Sequence, residues 1–159
     1  MSSPVVTERS TAAWIARCLK ARGVDRVFAL CGGHIMPLWM RLDAEGIRII
    51  DVRDERAAVY MAHAHAELTG QLGVALVTAG PGVTNAMTGI ANAHVARASV
   101  LVMSGTPPRA QENRGALQDM VHTEFVRPLT NSVCPHRARA RPCHAGAGRG
   151  HGPCPGHWR

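Results

Sequence analysis

Four short apolar runs, each separated from the next by a helical segment, constrain this chain more than any other feature. They are Val24–Leu30 (VDRVFAL), Ile47–Val52 (IRIIDV), Gly73–Thr78 (GVALVT) and Ser99–Ser104 (SVLVMS). They read as continuous apolar strands rather than as an in/out alternation, so both faces of the sheet they form are expected to be covered. The first helix is predicted over Thr7–Arg22, where Ala12, Ala13, Ile15, Ala16 and Leu19 form an apolar stripe and Gly23 is a natural stop. After a Cys31-Gly32-Gly33 turn comes a short helix, His34–Leu42; then Asp54–Leu68, closed by Gly70; then Val83–Ala96, with Gly89 in its interior. Strand–helix alternation of this kind predicts an α/β fold, a parallel sheet with helices on both faces. Right-handed crossovers put the loops that follow the strands along one edge, and ligands of such sheets sit there. Those loops are Cys31–His34, Arg53–Arg56, Gly80–Asn85 and Gly105 onward.

The character changes near residue 130, so a domain over 1–130 and an irregular tail over 131–159 are expected. Residues 134–159 contain no Leu, Ile, Val, Phe or Met and have little to bury. The net charge of +7 invites a nucleic-acid reading. Its distribution argues against one: up to Val133 there are 13 basic and 11 acidic residues, while the tail adds five arginines and no acid. An Arg-rich tail acting as a basic binding module is the alternative of another class. With one lysine, Lys20, and many Arg, Ala and Gly, the coding sequence reads as GC-rich, and the tail resembles translation of a shifted frame. No apolar run is long enough to span a membrane, and Met1–Glu8 lacks signal-peptide character, so a cytoplasmic location is expected. Five cysteines, Cys18, Cys31, Cys134, Cys143 and Cys154, make an odd set with no secretory context, which argues against a disulfide framework.

Read from residues alone, Gly80-Pro81-Gly82 with Asn85 follows a strand and opens a helix, the setting of an anion cradle or simply of a tight turn. Glu55 at a helix start could serve only the helix dipole. His63 and His65, two apart, fall on different helix faces and, with His94, read as packing or interface residues rather than metal ligands. Cys134, His136, Cys143, His144, His151 and Cys154 form no CxxC or HxxxH pair, and no metal site is assigned.

Three segments together resemble the pyrimidine-binding domain of thiamine-diphosphate enzymes, the group that includes acetolactate synthase. They are VDRVFALCGGHIMPL from Val24, RDERAAVYMAHAHAELTG from Arg53 and VALVTAGPGVTNAMTGIANA from Val74, with a weaker fourth, GALQD, from Gly115. The resemblance implies that Glu55 is the catalytic acid, placed against a ring nitrogen of the cofactor's aminopyrimidine. A proton shared there favours the imino tautomer, whose nitrogen deprotonates the thiazolium carbon, and the ylid attacks a 2-keto acid. Such a glutamate is expected to be desolvated with a raised pKa. Leu30, Gly32, Pro81, Gly82 and Asn85 are implied to line the pyrimidine side, and Gln118 to face the substrate. Asp54 stands where many members have histidine. Cys31 stands where they usually have proline and is expected as a small packing residue rather than a nucleophile.

The family's diphosphate domain binds Mg2+ through a GDG stretch, and no GDG occurs here. The expectation is an N-terminal, truncated part of an acetolactate synthase-like enzyme, inactive alone. A 2-hydroxyacyl-CoA lyase or benzoylformate-type decarboxylase is the sibling reading. It would need a complementing diphosphate-binding domain or a homodimer partner, with an exposed apolar dimer face. FAD, used by some relatives, has no support in this sequence.

Overall fold

The structure, a computed structural model, describes residues 9–112 and 114–134. Helix α1 spans Thr11–Ala21, strand β1 Arg26–Ala29, α2 Met36–Ala44, β2 Arg48–Asp51, α3 Glu55–Thr69, β3 Gly73–Val77, α4 Pro81–Ala96, β4 Val100–Ser104 and α5 His122–Val126. The strands form one parallel sheet in the order β2-β1-β3-β4. The α/β architecture read from the sequence is therefore present.

Helices cover both faces, as the apolar strands require. Along β1 and β3, Val27, Ala29, Val74 and Leu76 face α1 and α2 and join Ala16, Leu19 and Leu42. Their alternates Phe28, Ala75 and Val77 face α3 and α4 and join Val59, Ala62, Val83 and Ile90. Every residue of β3 is buried. The outer strands β2 and β4 are only partly covered, since each pairs with one neighbour. Uniform burial of all four strands is the sequence expectation; edge position decides otherwise.

Glycines set how closely the second layer packs. A Cβ on Gly73 would strike the Ala62 carbonyl oxygen, and one on Gly89 would lie 2.7 Å from Val59 Cβ. The interior glycine of α4 thus lets that helix lie against α3. Helix ends follow side-chain chemistry. Ser10 caps α1 by accepting from the Ala13 N–H, so the helix begins at Thr11 rather than at the expected Thr7. Pro81 occupies the first turn of α4, which starts two residues before the expected Val83. His34 lies in a short 3-10 turn, Gly33–Ile35, ahead of α2 rather than within it. Gly70, at φ 70°, closes α3 in the left-handed conformation.

The chain leaves β1 for β2 on one side and returns past it to β3 on the other. The carboxyl ends of β1 and β3 therefore flank the switch point, where α/β sheets open a ligand crevice. Among the described residues, no helix is long and apolar enough to cross a membrane. The tail's basic character and its Cys and His ligand types from His136 onward lie outside the described residues, as does Met1–Glu8.

Candidate functional site

The site is built around the turn that joins β3 to α4. Gly80 adopts φ 62° and ψ −118° at the N-cap of α4, with no side-chain cap. A side chain would be strained there, and its Cβ would also lie 2.8 Å from Gln118 Cβ. Pro81 follows, exposed, at the start of the helix. Gly82 is buried; a Cβ on it would come within 2.7 Å of Thr78 Cγ2 and 3.2 Å of Glu55 Oε1. Bare backbone thus faces the glutamate.

Glu55 enters from the start of α3, just beyond the end of β2. It is half-buried, and its Oε2 accepts a 2.7 Å hydrogen bond from Asn85 Nδ2, one turn into α4. One carboxyl oxygen is fixed by an amide donor, and the other sits against Gly82. The neighbouring acid behaves differently. Asp54 caps α3 by accepting from the Arg56 N–H at 2.8 Å and pairs with the Arg56 guanidinium at 2.6 Å. That hydrogen-bonded guanidinium holds the Asp54 carboxyl down to about 2. Asp54 thus supplies the N-cap, and Glu55 is the acid of the helix's first turn, with its carboxyl turned to Asn85.

Three sequence-predicted residues occupy the other side of the crevice. Gly32 has no room for a side chain, since a Cβ would strike the Thr78 hydroxyl. Leu30 donates its N–H to Leu76 O at 3.2 Å and packs against the core beneath α3 and α4. Gln118, at φ 63°, lies against Gly80, with its Oε1 2.9 Å from His34 Nδ1 and 3.5 Å from Thr78 Oγ1. Glu55, Gly82 and Asn85 are thus in one direct cluster, and Gly32, Gly80 and Gln118 adjoin it through Thr78. Leu30 supports from the core. Cys31, expected to pack, is instead exposed with a free thiol.

Sequence reasoning misses His34, Thr78 and His122. His122 is buried at the start of α5, and its Nε2 accepts the Gly80 N–H at 2.6 Å. Burial is the main cause that lowers its pKa; the nearby His34 adds to this, and Asp119 opposes it. His63 bonds Asn92 at 3.0 Å across α3 and α4, and the His65 ring lies 6.0 Å from Phe28.

Residues 9–125 match the family described as thiamine pyrophosphate enzyme, N-terminal TPP binding domain. The chain belongs to that family. It is 48% identical to 2-hydroxyacyl-CoA lyase 2 of Bos taurus over 115 residues, 72% of this chain and 18% of the relative. The Caenorhabditis elegans protein of the same name is 44% identical over 119 residues, 75% of this chain and 19% of the relative. Acetolactate synthase large subunit IlvG of Mycobacterium tuberculosis is 42% identical over 115 residues, 72% of this chain and 21% of the relative. The chain spans about a fifth of the length of these relatives. Thiamine diphosphate is the cofactor of the family to which it belongs.

Proposed function

We propose that this domain supplies the pyrimidine side of a thiamine-diphosphate site, with Glu55 as its catalytic acid. The observation that carries the reading is the Glu55–Asn85 hydrogen bond at 2.7 Å beside the bare Gly82 backbone. The donor set suits an aminopyrimidine. A carboxyl with one oxygen held by Asn85 keeps the other for a ring nitrogen, and the missing Cβ at Gly82 leaves room beside it. Pro81 and Gly82 would border the ring, Gly32 and Leu30 would close the far wall, and Gln118 would face the substrate.

When bound, the cofactor supplies an electron sink for cleaving or forming a carbon–carbon bond next to a carbonyl. The chain's own residues hold a proton at Glu55 Oε1, orient that oxygen through Asn85 and shape the turn through Gly80. Half-burial of Glu55 between α3 and α4 limits the water that would compete for the proton. We infer that the diphosphate and its divalent metal are held by a separate domain, from a complementing chain or a second subunit. We place the domain boundary near residue 130, just past Arg127–Leu129, the last helical turn among the described residues.

Identity is slightly higher to the lyase relatives than to the mycobacterial synthase, 44–48% against 42%. It favours a substrate of the 2-hydroxyacyl thioester class over a 2-keto acid, which stays as the second reading. Calorimetric titration of thiamine diphosphate and Mg2+ into the full chain mixed with a family diphosphate-binding domain tests the proposal. Saturable binding that needs both proteins is expected. Equal binding by the diphosphate domain alone overturns it.

A further inference from the structure

We infer that His122 is a positioning residue of the half-site: its imidazole fixes the Gly80 peptide and locks the Gln118 segment in register with the turn that carries Gly82 and Asn85. The inference rests on the reading of that turn as the pyrimidine side.

The Gly80 carbonyl already accepts from the Val83 and Thr84 N–H groups as α4 begins. Its N–H points the other way, in a buried position, and needs an acceptor. His122 Nε2 supplies one at 2.6 Å, across 42 positions of sequence. A backbone N–H can only donate, so Nε2 must be the unprotonated nitrogen of a neutral imidazole. The second contact lies four residues upstream. Gln118 Cα and Cβ lie 3.0 and 2.8 Å from the point a Gly80 Cβ would occupy. The 118–122 segment therefore holds Gly80 at two points, its bare α-carbon and its N–H.

The consequence is directional. An imidazolium carries protons on both nitrogens, so protonation sets donor against donor and releases the Gly80 peptide. The groups that act on the ring are His34, across the crevice, and Asp119, within the same segment. Through the His34–Gln118 contact at 2.9 Å, release at Gly80 would also be felt on the substrate side. His122 thus ties the cofactor turn to the substrate-facing glutamine without touching either ligand.

The test uses the full, isotopically labelled chain without cofactor, so that its outcome is separate from whether thiamine diphosphate binds. As pH falls from about 7 through the lowered His122 pKa, the Gly80 and Gln118 amide resonances should move with one shared midpoint. At neutral pH, His122→Phe should speed Gly80 amide exchange roughly tenfold, the factor expected for one lost hydrogen bond. His122→Gln keeps an acceptor and should retain most of the protection while losing the pH step. A residue with only a packing role would lower the melting temperature of both variants and leave the step in place. A wild-type chain whose Gly80 resonance ignores this range, or a step that survives in His122→Gln, overturns the assignment. The wild-type titration decides the matter even if His122→Phe fails to fold.

Discussion

The two flanks of the crevice are built in opposite ways. On one side, β3, its turn and α4 are fixed by burial: all of β3 is buried, and Gly82 and Gly89 lie where a side chain would collide. On the other, the segment from Gly115 to Leu129 has one buried residue, His122; it is draped across the turn on a few polar contacts and is anchored beyond it by Val126 and Leu129, which pack against the core. The packed flank holds Gly82 and Asn85, the neighbours of Glu55, rigidly, because displacing them means opening a core. The 118–122 part of the draped flank, which we propose faces the substrate, is held at the turn by individual hydrogen bonds.

The largest expected effect breaks the packed flank. Gly89→Val places a branched side chain against Val59, with its Cβ 2.7 Å away, and overpacking of this kind costs about 1–3 kcal/mol or more. Urea unfolding should show a large loss or no folded chain; near-wild-type stability would mean that α3 and α4 are farther apart. Next is Asn85→Ala, which removes the donor to Glu55 but leaves the core intact. With the complementing domain present, the dissociation constant for thiamine diphosphate should rise roughly 10- to 100-fold, as leaving a half-buried carboxyl oxygen without its donor implies. An unchanged constant by calorimetry would separate Asn85 from the site.

A glycine change on the draped flank sharpens the contrast. Gly115 has φ 69°, and nothing lies within 4 Å of the point its Cβ would occupy, so Gly115→Ala meets backbone strain alone. The cost should be about 1 kcal/mol, well below that of Gly89→Val in the same unfolding assay. The smallest effect concerns the other helix-start acid. The Asp54 carboxyl sits at about 2 in the folded chain, below its usual value of about 3.9. A depressed carboxyl contributes stability above the unfolded value, and that contribution fades as pH falls from roughly 4 to 2. Asp54→Asn keeps the N-cap acceptor and should flatten only this acid limb of a melting-temperature profile. A change near neutral pH would show that the cap itself was disturbed.

What is legible in the sequence follows the same division. Apolar runs and helical spacing carry the packed flank, because β3 and α4 are contiguous and their burial is written residue by residue. Glu55, Gly82 and Asn85 are reachable through their family resemblance, and the fold brings them together. The period of a helix says nothing about which distant loop returns to cap a turn. His122 meets Gly80 across 42 positions and His34 meets Gln118 across 84, and no local pattern encodes either pairing. Cys31 departs from expectation for a related reason: a small residue after a strand packs only if something covers it, and here it is exposed.

The central claim is that the Glu55 carboxyl exchanges a proton with the cofactor's pyrimidine, and the rate of deuterium exchange at the thiazolium carbon tests it most directly. In the complemented assembly, Glu55→Gln should slow that exchange by at least about 100-fold, within the range that a positioned acid–base group contributes. Exchange in the variant as fast as in the wild-type assembly, with cofactor bound in both, would contradict the account.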